Sequence, residues 1–120
     1  VSAPTLKDLL NPDRTAIVTQ ELQGAVVGPD SGMAELAHEA RRHALPNIGR
    51  LLPVARDAGV RVVHCLVHRR DDNQGSNDNA KLFAIGRHTT SMAPGSSGAS
   101  LLPELGPAPS DLVLTRMHGR

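Results

Sequence analysis

The strongest constraint on this chain is the order of three segments. Thr15 to Thr19 (TAIVT) and Val60 to Val67 (VRVVHCLV) are short β-branched apolar runs, and a stretch of helical periodicity separates them. Apolar runs of this length bounded by turn residues read as buried strands. The first follows the turn-like Asn11–Arg14 (NPDR) and the second follows Gly59, a residue suited to the position just past a helix end. Strand, helix and strand in this order favour a right-handed parallel unit, because an antiparallel pair needs only a tight turn. The second run is almost continuously apolar, the pattern expected of a parallel strand covered on both faces.

The intervening helical pattern has two parts. Met33, Leu36, Ala37 and Ala40 recur at i, i+3, i+4 and i+7 with polar residues between, and Ile48, Leu51, Leu52 and Ala55 repeat the spacing. Pro46 suits a first helical turn. Pro53 predicts either a kink in one long helical region or a break between two short helices. Beyond the second strand, His68 to Asn79 reads as a solvated loop, Lys81 to Ile85 as a turn of helix, and Thr89 to Ser100 as small turn-forming residues. Asp111 to Thr115 (DLVLT) reads as a third strand. This alternation predicts an α/β fold on a parallel sheet. With three strands visible, the expectation is one domain over residues 1–120 that stops partway through its fold, leaving apolar sheet edges for another chain to cover. A homo-oligomer is therefore expected.

Composition narrows the function. Phe83 is the sole aromatic residue and the formal net charge is +1. Stacking platforms for single-stranded nucleic acid are thereby ruled out, and neither nucleic acid nor an anionic membrane has an electrostatic case. Cys65, the single cysteine, cannot form an internal disulfide and fits a reducing compartment. No apolar run approaches the roughly 20 residues of a spanning helix, and the first ten residues lack the pattern of a signal peptide. A cytoplasmic protein is expected.

Candidate chemistry sits at the strand ends, where parallel sheets bind ligands. The first strand runs straight into Gln20-Glu21-Leu22-Gln23, and polar groups ending a core strand are costly unless paired, solvated or useful. Glu21 at that rim could serve as a general base; the alternative is a solvated loop acid. Arg116 and His118 end the third strand and should share the rim, where an arginine could pair with Glu21 or hold an anionic substrate. His64 and His68 would share one strand face with Cys65 on the other, so the three do not converge on a metal. Core packing is the better reading for Cys65. Pro94–Ser100 (PGSSGAS) lacks the Lys-Ser/Thr of a P-loop, and QGAVVG after the first strand is not a dinucleotide fingerprint. No metal or other cofactor is expected.

Three stretches together carry a resemblance: TAIVTQELQGAVVG, LPNIGRLLPVARDAGVRVVHCLVH and GSSGASLLPELGPAPSDLVLTRMHG. In this order they resemble the isochorismatase-like cysteine hydrolases. The shared features are a strand ending in an acid followed two residues later by Gln, an Arg-x-x-Gly turn at Arg56–Gly59, a Gly-rich loop, a Pro-Glu-Leu turn and an Asp-led third strand. The resemblance implies a three-layer α/β fold with a six-stranded parallel sheet, of which the first three strands are visible here. It also implies hydrolysis of a small amide or related C–N bond, or of a vinyl ether.

The family's aspartate, lysine and nucleophilic cysteine map onto Glu21, Arg116 and a position beyond Arg120. Gln20, Gln23 and His118 are the candidate substrate-binding residues. Glutamate is one methylene longer than the family's aspartate, and arginine keeps the charge of lysine without sharing a proton near neutral pH. An active hydrolase on a small molecule is therefore expected. The alternative is a relative that kept the fold for binding or assembly, and a nucleotide-binding module is more distant still.

Overall fold

The computed structural model describes residues 1–86, 88 and 91–117. Its elements are α1 (Leu6–Leu9), β1 (Ala16–Gln20), α2 (Gly24–Val27), α3 (Ala34–Glu39), α4 (Leu45–Asp57), β2 (Arg61–Val67), α5 (Lys81–Gly86) and β3 (Leu112–Arg116). The three strands form one parallel sheet in the order β1-β2-β3. Thr19 lies opposite His64, and Val67 opposite Arg116.

The two predicted helical stretches are one continuous run. A π turn over Ala40–Ala44 joins α3 to α4, with the Leu45 N–H reaching back five residues to the Ala40 carbonyl. Pro46 supplies a physical reason. It has no N–H for the Arg42 carbonyl and its ring crowds that carbonyl, so the turn before it widens. Pro53 neither breaks the run nor ends it. The residue four before it is Gly49, in open surroundings, and Pro53 itself is exposed.

Burial follows the helical period with a small rotation from the sequence reading. Leu45, Leu52 and Ala55 are buried and Ile48 packs against the core, whereas Leu36 and Leu51 face outward. The core joins Val27, Leu45, Leu52, Val62 and Leu66 to Leu101, Leu102 and Leu105. The last three come from the segment after the Gly-rich loop, where a 3-10 turn at Pro103–Leu105 carries Leu105 inward.

The sheet is covered on one face only among the described residues. Val62, His64 and Leu66 of β2 are buried, while Val63, Cys65 and Val67 are partly exposed. On that second face Val18 is 59% and Leu114 58% exposed. Full coverage of both faces, the expectation from the apolar run of β2, is therefore not met in this chain. β3 is exposed along its whole length, and its first residue is Leu112 rather than Asp111.

Asp111 is used differently, as the hub of a buried polar network. Its carboxylate accepts from Arg56 Nε (3.0 Å) and Nη2 (2.6 Å), from the Ala108 N–H (2.7 Å) and from His64 Nε2 (3.0 Å). A carboxylate can only accept, so the His64 proton sits on Nε2. Nδ1 is then left to the Thr19 hydroxyl at 2.7 Å. Arg56 first, then the Ala108 N–H and His64, hold the Asp111 pKa down at about 2 against burial, which would raise it. The network ties α4, β1, β2 and the start of β3 together. His64 is thus a satisfied core histidine, and among the described residues no cluster of His, Cys, Asp or Glu could hold a metal ion.

Candidate active site at the strand ends

Glu21 lies one residue past β1 with φ +54°, in the left-handed region that a glutamate rarely adopts. Such a conformation costs on the order of 1–3 kcal/mol and persists where the surroundings enforce it. Here the Glu21 N–H donates to the Cys65 carbonyl at 2.8 Å, extending the β1–β2 ladder by one bond before the chain turns away. Its carboxylate pairs with the Arg116 guanidinium, and Gln20 Nε2 donates to Glu21 Oε1 at 3.1 Å. Arg116 is set in place by β3, whose last carbonyl accepts the His68 N–H at 2.8 Å.

The residue that holds this rim together is Gln23. Its side chain is 0% exposed. Its carboxamide spans two segments: Oε1 accepts the Val67 N–H at 2.9 Å, while Nε2 donates to the Val67 carbonyl at 2.9 Å and to the Ala99 carbonyl at 2.5 Å. One amide thus closes the end of β2 and fastens the Gly-rich loop to it. The loop is docked further by Gly24 N–H to Ser100 and Ala25 N–H to Gly98. Gly24 is required there, because a Cβ would collide with the Ser97 carbonyl.

Beside the Glu21–Arg116 pair opens a cavity of about 160 Å³. Its wall includes Glu21, His68, Arg69 and Arg116, with apolar side chains from the segments around α3, α5 and β3. Arg69 is engaged with the Gly86 carbonyl, and its own N–H fixes the Met92 carbonyl at 2.8 Å. A carboxylate beside a guanidinium on a cavity wall can take a proton from a nucleophile while the cation faces a developing oxyanion.

The predicted site residues separate on this geometry. Glu21 and Arg116 come together on the cavity wall, and Gln20 joins them from outside through its bond to Glu21. Gln23 does not line the cavity; its carboxamide is consumed inside the protein. His118 lies outside the described residues. His68 and Arg69 were not singled out by the rim argument, although they follow β2 directly and the same reasoning reaches them. Cys65 does not line the cavity.

Comparison with known proteins places the chain in a family. The family model described as Isochorismatase domain matches residues 15–119. No curated protein matches the chain significantly. Among solved structures, a cysteine hydrolase from Pseudomonas syringae pv. phaseolicola is similar over 98% of this chain and 53% of its own, with 21% identity and a TM-score of 0.72. An isochorismatase family protein from Desulfovibrio vulgaris is similar over 85% and 52%, with 25% identity and a TM-score of 0.65. N-carbamoylsarcosine amidase from Thermoplasma acidophilum is similar over 85% and 51%, with 20% identity and a TM-score of 0.59. The chain spans about half the length of these structures. With its parallel sheet, its acid at the end of β1 and a family match over nearly all its residues, the chain belongs to the isochorismatase family.

Proposed function

We propose that the protein is a hydrolase of a small molecule, acting on an amide or related C–N bond, or on a vinyl ether, at the C-terminal ends of the strands. The observation that supports it most directly is the Glu21–Arg116 pair on the cavity wall, at the rim where parallel sheets bind ligands. The family's hydrolases support the reaction class. For an amide, Glu21 accepts a proton from an attacking water as the water oxygen bonds to the carbonyl carbon, so that the products are a carboxylic acid and the freed amine or ammonia. The electron pair of the C=O moves to oxygen, facing Arg116. As the C–N bond breaks, the proton held by Glu21 passes to the leaving nitrogen. The left-handed backbone at Glu21 supports the same role, since strained residues cluster at functional sites.

The test is a screen of small amides and vinyl ethers for turnover, followed by Glu21→Gln on the substrate found. General-base catalysis contributes about 10²–10⁴-fold, so kcat should fall by about that factor with the fold intact. An unchanged kcat refutes the role of Glu21. Binding without turnover of any substrate would favour a binding or assembly protein on the same fold.

Self-association is a second proposal, supported by the exposed β3 and by the exposed Val18 and Leu114. Sedimentation finding only monomers would refute it. A cytoplasmic setting is proposed from the half-buried free thiol of Cys65. Among the described residues no helix is long and apolar enough to cross a membrane.

A further inference from the structure

The described wall of the cavity carries four ionisable side chains, Glu21, His68, Arg69 and Arg116, beside apolar ones that include Met33, Phe83, Met92 and Met117. Three of the four are engaged with the protein itself. Glu21 pairs with Arg116 and accepts from Gln20, and Arg69 donates to the Gly86 carbonyl. Both donors to Glu21 reach Oε1, which leaves Oε2 to take a proton. The His68 imidazole differs from the other three: it is half-buried and bonds to no described residue.

The backbone beneath this imidazole is nevertheless held at three consecutive residues. The Gln23 carboxamide bonds both the N–H and the carbonyl of Val67, the His68 N–H donates to the Arg116 carbonyl at 2.8 Å, and the Arg69 N–H donates to the Met92 carbonyl at 2.8 Å. An uncommitted polar side chain on a fixed backbone is how a site places a group that must meet a ligand. Arg116 also links the two reacting stations, since its carbonyl holds His68 while its guanidinium holds Glu21.

In the tetrahedral intermediate of amide hydrolysis the oxyanion faces Arg116 and the oxygen from water faces Glu21. The leaving nitrogen is a different corner of the tetrahedron and needs a proton from another part of the wall. Guanidinium groups keep their protons, whereas imidazole both gives and takes one near neutral pH. We propose that His68 is a catalytic residue that relays the proton from Glu21 to the leaving nitrogen. The relay rests on the hydrolase reading above. The His68 imidazolium gives its proton to the nitrogen as the C–N bond breaks, and the electron pair of that bond stays with the nitrogen. Glu21 then passes the proton it took from water to the imidazole. Both residues end in their starting forms, and the acid and the amine leave.

The test takes the amide found by the screen and compares wild type with His68→Gln and His68→Ala, each checked for an intact fold by circular dichroism. In His68→Gln kcat should fall about 10²–10⁴-fold, the range of one general acid, with KM little changed. Wild-type kcat should decline as the pH rises through the neutral range, and this limb should be absent from His68→Gln. The smaller His68→Ala leaves room for a free imidazole, so added imidazole should raise its kcat about tenfold or more. The same addition should leave His68→Gln unchanged. A neutral-range limb that persists in His68→Gln, or a folded His68→Ala that imidazole does not rescue, would overturn the relay. A His68→Gln protein as fast as wild type overturns the relay and leaves the hydrolase reading standing. No amide turned over by wild type overturns both.

Discussion

Replacing Asp111 with asparagine should destabilise the fold, and the deficit should shrink as the pH falls. Asp111 accepts four hydrogen bonds, two of them from Arg56. Its side chain is 1% exposed and that of Arg56 is 20% exposed. Asparagine offers one acceptor oxygen and turns an NH₂ group toward donors. Arg56 keeps only the Leu105 carbonyl, at 2.8 Å. Removing one partner of a largely buried ion pair costs about 3–5 kcal/mol. The residual exposure of Arg56 places the expectation at the low end, about 3 kcal/mol near pH 5.

The wild-type carboxyl titrates near 2 in the folded protein and near its ordinary value of 3.8 when unfolded. A depressed folded pKa adds stability above the unfolded value and loses it as the pH falls toward the folded one. The full contribution is about 2–3 kcal/mol. Roughly 1 kcal/mol of it should be gone by pH 3 and about 2 kcal/mol by pH 2. Urea unfolding of both proteins at pH 5, 4, 3 and 2 measures this directly, because the other carboxyl groups cancel in the difference. A gap between wild type and Asp111→Asn that stays constant from pH 5 to pH 2 would refute the reasoning. It would mean that the carboxylate is not held in its charged form by Arg56, Ala108 and His64.

Other substitutions separate neighbouring roles. Gln23→Leu leaves the Val67 N–H and two carbonyls without their partner, so unfolding free energy should drop on the order of 3 kcal/mol, and amide exchange at Val67 should quicken; an unchanged urea midpoint would show that water replaces the carboxamide. Gly24→Ala forces a methyl into the Ser97 carbonyl and should cost about 1–3 kcal/mol, read as a lowered Tm with the Gly-rich loop more open to proteolysis. Leu52→Ala should cost about 3 kcal/mol and Leu51→Ala within about 0.5 kcal/mol. Equal costs for the two would mean that the buried stripe of α4 is misplaced.

The parts of the fold legible in the sequence are those that local patterning controls. The three strands fall within a residue of their predicted bounds, because β-branched runs with turn residues on either side have few alternatives. Their parallel pairing followed from the helical sequence between the first two. The helical periodicity was legible as well, but its phase was not. Leu36 and Leu51 face outward while Ala37, Leu45, Leu52 and Ala55 are buried, because the side of each helical stretch that meets the sheet is set by packing, which no periodicity count carries. Leu101, Leu102 and Leu105 were equally hard to see as core, since they follow a loop of small residues.

At the candidate site, chain position alone placed Glu21 and Arg116 on one rim, because parallel strands in register bring their C-terminal ends together. What those residues touch depended on contacts between segments far apart in the chain. Gln23 looked like a binding residue from its place at a strand end, yet its carboxamide is spent on Val67 and Ala99. His64, which the strand alternation placed on one face without a converging ligand set, lies in a buried network with Thr19 and Asp111, partners that no local pattern names. The methionine-lined cavity is the clearest case. Met33, Phe83, Met92 and Met117 share no spacing that sequence periodicity could detect, and only the folded chain brings their side chains to one wall. Strand, helix and rim were thus determined by the sequence itself, through short-range sterics and hydrophobic periodicity. The partners of each polar group and the shape of the cavity were decided by the tertiary structure, because hydrogen bonding and packing are settled by whichever distant groups the fold delivers.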